Sequence, residues 1–201
     1  MKSGAVVEFE SADRRHVRLR SLTMRDIVAV TRFANAIVKE KKTNLDLGLV
    51  GFDRRVTVKE ERKFLRALVE GEAKREAVSI GAFVDGRLVG HCDVRRRKAA
   101  DEHHVGTFGI VILDGYRGVG IGQMMVKEAL GRSRRLGVWL VELRVFAINA
   151  RAIHVYEKMG FRRAGVVPNK VLRKGRLMDE VSMYVELRGT SKSPSPRRGQ
   201  G

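Results

Sequence analysis

The sequence predicts an α/β domain, and three observations carry that prediction. Residues 105–113 form an apolar, β-branched run that leads into a glycine-rich turn and then into helix formers over 123–135. Strand, loop and helix thus follow one another as a unit. Val78, Ile80, Ala82 and Val84 alternate with Ser79, Gly81 and Phe83 ahead of Asp85-Gly86, and a second run follows over 87–94. Asp-Gly between two such runs signals a β-hairpin. Elsewhere, stretches with helical spacing separate further stretches with strand character.

Taken in order, 6–10 and 17–22 read as strands around the polar turn Ser11-Ala12-Asp13-Arg14-Arg15. Thr23, with Asp26 three residues on, offers a helix start before 24–40, where Ile27, Val30, Ala34, Ile37 and Val38 recur at helical spacing. Residues 44–55 form an irregular connection. Thr57 caps a second helix, with Glu60 and Glu61 in its first turn and Phe64, Leu65, Leu68 and Val69 facing inward. Ile110 to Leu113 are all apolar, as in a central strand covered on both faces. The helix over 123–135 places Ile121, Met125, Ala129 and Leu136 near one face, although Glu128 and Arg132 intrude, and Gly137 ends it. On the strand 138–146, Glu142 and Arg144 share a face with Val138, Leu140 and Phe146. Charges on a buried strand are costly, so these two either pair or face a cleft. Asn149 caps a short helix through Met159, and a last hairpin joins 161–172 to 177–187.

With 201 residues, 43% hydrophobic and 32% charged, the chain suits one globular domain with a real core. No run of 18 apolar residues suggests a transmembrane helix, and the N-terminus lacks the apolar core of a secretory signal. Cys92 is the single cysteine, which excludes an internal disulfide and points to a reducing compartment, so a cytoplasmic location is expected. No Cys and His cluster has zinc spacing, so no metal is expected. Cys92 itself reads as a packing residue.

Charge is the unusual number. Lys and Arg total 41 against 23 Asp and Glu, a net +18, gathered at Arg95-Arg96-Arg97-Lys98, at Arg132, Arg134 and Arg135, at Arg162-Arg163, and at Lys170, Arg173, Lys174 and Arg176. Two alternatives stay open: a generally solvated basic surface, or one that meets nucleic acid, a ribosome or an acidic substrate. Aromatic content of 6% is poor for base stacking. Residues 188–201 carry four cations, no acid and two of the three prolines, and read as a disordered basic tail.

The loop Arg117-Gly118-Val119-Gly120-Ile121-Gly122 precedes a helix, so free backbone N–H groups and a helix dipole converge on one spot. Phosphate is the natural occupant of such a site. Ile121-Gly122-Gln123 after Gly120 excludes a Walker A loop, and Gln123 excludes a dinucleotide fingerprint starting at Gly118. One helix and one strand later comes Asn149-Ala150-Arg151-Ala152-Ile153-His154-Val155-Tyr156-Glu157-Lys158-Met159-Gly160-Phe161. The pair Arg-x-x-Gly-x-Gly and Asn-x-x-Ala-x-x-x-Tyr-x-Lys-x-Gly-Phe, in this order, resembles the GNAT superfamily of N-acetyltransferases. The resemblance covers 16–187 and leaves 1–15 as an N-terminal segment with room for an extra strand.

The resemblance implies a mixed, mostly antiparallel, twisted sheet of about six to seven strands with helices on both faces. It also implies a V-shaped split between the two central strands. Acetyl-CoA would enter the split as co-substrate, pairing with the backbone of Ile110, Val111 and Ile112. Arg117, Gly118, Val119, Gly120, Ile121, Gly122 and Gln123 would hold its pyrophosphate. Asn149 would touch the cofactor arm, and Tyr156 would both line the cofactor and act as general acid. Many relatives carry a glutamate five residues before the motif asparagine, where this chain has Arg144. Glu142, on the same strand face, is the candidate base, acting through water; His103 and His104 are the alternatives, or a surface pair. Arg144 is a candidate ligand for a substrate carboxylate. In this family a helical segment between the first strands often lines the acceptor pocket, so 44–52 is where substrate selection is expected. The expected acceptor is a primary amine on a small molecule or amino acid. A ribosome-associated protein acetyltransferase and a non-catalytic CoA-binding or nucleic-acid-binding module are the alternatives. A homodimer and a contact with ribosome or nucleic acid remain open partners, and no membrane partner is expected.

Overall fold

The computed structural model describes residues 6–44, 47 and 53–187. Eight strands form one sheet: β1 (Val7–Glu10), β2 (His16–Arg20), β3 (Ala77–Val84), β4 (Arg87–Arg96), β5 (Val105–Ile112), β6 (Leu140–Phe146), β7 (Arg162–Arg173) and β8 (Arg176–Glu186). Their order is β1-β2-β3-β4-β5-β6-β8-β7, and every neighbouring pair is antiparallel except β5 with β6. The sheet has more strands than the six to seven expected. Residues 7–10 pair with 16–19 and add an edge strand to the N-terminal side. The expected tail, 188–201, lies outside the described residues.

Among the described residues, four α-helices cover the two faces: α1 (Ile27–Lys41), α2 (Val58–Ala73), α3 (Ile121–Arg135) and α4 (Ala150–Lys158). One core gathers Ile121, Met125, Val126 and Ala129 of α3 and Ile153 and Tyr156 of α4 against the sheet. The other gathers Ile27, Val30, Phe33 and Ile37 of α1 and Leu65 of α2. The side chains of β5 divide between them: Phe108, Ile110 and Ile112 face α3 and α4, while Val111 and then Leu113 face α1 and α2. That explains the unbroken apolar run.

Local signals act largely where the sequence places them. Thr57 accepts from Glu60 N–H at 3.3 Å, and the Glu60 carboxylate reaches back to Thr57 N–H at 2.8 Å, a complete capping box. Of the four α2 residues expected to point inward, Leu65 and Leu68 are buried, but Phe64 is 36% exposed, because α2 leaves a groove beside it. Glu128 and Arg132 pair with each other at 2.8 Å along α3, and Arg132 also donates to Ser21 Oγ at 3.0 Å, so the intruding charges are compensated. Burial pushes the Cys92 thiol far up, in line with a packing role.

Entry into α1 is held by Asp26. Arg20 grips its carboxylate at 2.6 and 2.8 Å, and Thr23 N–H and Oγ1 add bonds of 2.8 and 2.9 Å. Burial works to raise this carboxyl, but the Arg20 and Thr23 hydrogen bonds outweigh it and leave it below the usual carboxylate range. A group depressed on folding stabilises the fold above its unfolded pKa of about 3.9 and loses that contribution as pH falls through the folded value. Asp26→Asn is therefore expected to be less stable than the parent at neutral pH, with the gap closing under acid conditions. Urea midpoints measured from neutral to acid pH check this; a gap independent of pH would count against it.

Candidate active site

The parallel pairing of β5 with β6 covers only Val105↔Leu140, Gly106↔Val141 and Thr107↔Glu142. Beyond Thr107 the two strands part, while β5 stays paired with β4 along its length and β6 with β8. Leu113 N–H bonds to Val89 O at 2.9 Å, so the alternation of an antiparallel ladder gives the backbone groups of Val111 and Gly109 to β4. Those of Ile110 and Ile112 turn the other way, into the split. Of the three residues expected to pair with a cofactor arm, Val111 lines the cleft but has its backbone committed to β4.

The cleft has a volume of about 280 Å³ and runs from this split to the start of α3. Of the loop residues, Arg117, Gly118, Gly120, Gly122 and Gln123 line it. Val119 packs against the core and Ile121 is fully buried in it, so these two anchor the loop instead. Gly120 caps α3 at φ +91°, and nothing lies within 4 Å of where its Cβ would stand. A side chain there would be strained and would project into open space. The first N–H groups of α3 thus stay accessible at the mouth of the cleft.

The Arg117 guanidinium does not face that mouth. It pairs with Glu40 of α1 at 2.5 and 2.8 Å, and its Nε donates to Ile112 O at 2.8 Å. The cation over the loop is Arg151 of α4, whose guanidinium occupies the space a Cβ at Gly118 would need. Sequence reading missed this residue, although its place inside the Asn149 motif was a signal. It also missed the brace supplied by the N-terminal hairpin. Ala12 N–H bonds to Val119 O at 3.0 Å, and Arg15 donates to Gly115 O at 3.0 Å while lying 4.6 Å from the Tyr116 ring centroid.

Asn149 caps α4, its side-chain oxygen accepting from Ala152 N–H at 3.1 Å, and lines the cleft. Tyr156 lines the cleft from the same helix, 9% exposed, with its ring among Phe108 and Phe161. Burial, and secondarily the neighbouring Cys92, push its phenol well up, so the hydroxyl holds its proton at neutral pH. Among the described residues that hydroxyl takes no hydrogen bond.

Glu142 and Arg144 do not pair with each other. Glu142 takes Arg97 at 2.5 Å and accepts from Thr107 Oγ1 at 3.2 Å, at the register where β5 and β6 separate. It stands beside the split and is absent from the cleft lining. Arg144 lines the cleft, is mostly exposed, and lies 3.7 Å from the buried Glu180. His104 stacks on Trp139 at 5.0 Å, and His103 lines a separate groove, so neither histidine joins the cleft. Of 44–52, Leu47 lines the cleft, held by Arg173 on its carbonyl at 2.7 Å; residues 45, 46 and 48–52 lie outside the described residues. Among the described residues no group of His, Cys, Asp and Glu is placed to hold a metal ion.

A split mixed sheet with an open helix N-terminus at the mouth of the split is the architecture of an acyl-CoA-dependent transferase fold. A family model described as the acetyltransferase (GNAT) family matches residues 51–161, more than half of the chain, and the chain belongs to that family. It is 33% identical over 103 residues to the L-amino acid N-acetyltransferase AaaT of Escherichia coli, covering 51% of this chain and 64% of that one. It is 35% identical over 119 residues to streptothricin acetyltransferase of Streptomyces lavendulae, covering 59% and 61%. The chain thus spans under two thirds of the length of these curated relatives. The solved structure of yncA from Salmonella typhimurium, with its cofactor acetyl-CoA, matches at a TM-score of 0.74 and 16% identity over 90% of this chain and 99% of that one, a likeness of fold.

Proposed function

We propose that the protein transfers the acetyl group of acetyl-CoA to a primary amine on an amino acid or similar small molecule. The observation that carries this reading is the unpaired edge of β5 opening beside a helix N-terminus, with Tyr156 between them in one cleft. Ile110, with both of its backbone groups, and the N–H of Ile112, whose carbonyl is held by Arg117, offer strand-like hydrogen bonds to the pantetheine arm. The free N–H groups of α3, with Gly118, Gly120, Gly122 and Gln123 around them and Arg151 above, suit the pyrophosphate.

Acetyl-CoA supplies an activated thioester. The neutral amine attacks its carbonyl carbon, the C–S bond breaks, and the thiolate takes the Tyr156 proton. The phenol carries its proton at neutral pH, as that role requires; burial in an apolar wall makes it a weaker acid, so the transfer is driven by the basicity of the departing thiolate. Glu142 takes the proton released by the amine through water. Arg144, exposed at the cleft, suits a carboxylate on the acceptor, and the names of the amino-acid and streptothricin relatives support an amine of modest size.

Arg151→Ala removes a charged contact and is expected to raise the Kd for acetyl-CoA about tenfold or more, measured by calorimetry; an unchanged Kd would remove Arg151 from the site. Tyr156→Phe keeps the ring and loses the acid, so kcat is expected to fall about 100-fold or more with KM little changed. Retention of parental kcat by this variant would exclude Tyr156 as the acid. Arg144→Met is expected to raise KM for an amino acid far more than for the matching amine without a carboxylate, in a thiol-release assay. Equal effects on both would disprove the carboxylate role.

A further inference from the structure

A cavity of about 130 Å³ lies on the α1–α2 face of the sheet, across β5 from the side chains of Ile110 and Ile112. Leu22, Val30, Phe33 and Leu88, all buried, give it hydrocarbon walls. Phe64 of α2, 36% exposed, is its most exposed wall. Two polar side chains interrupt this lining: Glu61 of α2 and His91 of β4, each 9% exposed.

The fold satisfies one of the two and leaves the other. His91 Nε2 lies 3.1 Å from Ser79 Oγ, and burial holds the imidazole below its usual range, so it stays neutral at pH 7. Among the described residues no hydrogen bond or ion pair reaches the Glu61 carboxylate. Burial, and secondarily the neighbouring Glu60, push this carboxyl up. The start of α2 does not require Glu61, because Glu60 already closes the Thr57 capping box at the surface. A carboxylate withdrawn from water is costly unless a cation or hydrogen-bond donors meet it.

We propose that this cavity binds a small aliphatic ammonium ion, its N–H donating to Glu61 and its alkyl groups filling the space between Leu22, Val30, Phe33 and Leu88. The donor set selects this class of cation. A metal ion such as Ca²⁺ needs several oxygen ligands, and Glu61 is the one carboxylate in the lining. A guanidinium brings five N–H donors, far more than this lining can accept. An alkylated ammonium brings few donors and an apolar body, which matches one carboxylate in a hydrocarbon cage. A dry cavity of about 150 Å³ holds a benzene ring, so the ligand here has about six non-hydrogen atoms or fewer. Such a ligand is separate from the acetyl acceptor, and binds whether or not acetyl transfer takes place.

Trimethylammonium chloride, a tertiary ammonium that forms no stable amide, is the probe. tert-Butanol serves as its neutral counterpart of similar shape, with sodium chloride at equal ionic strength as the salt control. NMR titration of the Leu22, Val30 and Leu88 methyl signals reads occupancy of the cavity itself. Trimethylammonium should shift these signals with a Kd about tenfold or more below that of tert-butanol. Glu61→Gln keeps the shape, removes the charge, and should weaken trimethylammonium about tenfold or more with little effect on tert-butanol. Glu70→Gln, the same change on the exposed side of α2, should bind as the parent does. Ala34→Leu fills the cavity from α1 and should abolish binding of both probes with Glu61 in place, so the outcome does not hang on one variant. Acetyl-CoA should bind with its parental Kd in saturating trimethylammonium. Equal affinity for the two probes, or undiminished binding by Glu61→Gln, overturns the proposal. So do an absence of shifts, shifts confined to Ile110 and Ile112, or competition with acetyl-CoA, the last two because they put the ion in the cleft.

Discussion

A parallel strand pair that stops after three residues is the constraint on which the rest depends. Had β5 and β6 stayed paired to Ile112, the backbone groups of Ile110 and Ile112 would be spent within the sheet. Instead each strand is secured on its far side, β5 by β4 and β6 by β8, so the central seam can open without orphaning either strand. Ile110 and Ile112 are only half-buried along this seam, so backbone groups not paired within the fold meet water, which an extended polar ligand can replace. The two cores, one on each face, hold that opening in place.

Charge placement around the seam follows a division of labour. Arg117 is bound to Glu40 and Ile112 O and fixes the loop to α1 and β5. Arg151 sits over the same loop from α4, where an anion can reach it. The N-terminal hairpin braces the loop from the other side through Ala12 and Arg15. The strand that enlarges the sheet thus also steadies the anion site. On the α1–α2 face, Arg97 lines the basic groove beside α2 and ion-pairs with Glu142, at the register where the β5–β6 pairing ends.

Much of this was legible in the residues. The Asp85-Gly86 turn, the Thr23 and Thr57 capping boxes and the Asn149 cap are local signals, and local hydrogen bonds realise them. The unbroken Ile110–Leu113 run announced a strand covered on both faces. What was not legible depends on register and on distant partners. Whether Val111 or Ile110 turns its backbone to the split is decided by the β4 pairing, and apolar composition is blind to it. The diversion of Arg117 to Glu40 joins residues 77 apart in the chain. Phe64 fits a helical apolar stripe as well as Leu65 does, and only the width left between α2 and β4 keeps it partly exposed.

Amide hydrogen exchange at β5, with and without acetyl-CoA and with ATP as a control polyanion, tests the central claim most directly. If the open seam receives the cofactor arm, acetyl-CoA slows exchange at Ile110 and Ile112, while Gly109 and Val111, already committed to β4, change little, and ATP leaves all four unaltered. Unchanged exchange at Ile110 and Ile112 under saturating acetyl-CoA, or equal protection by ATP, would contradict the account.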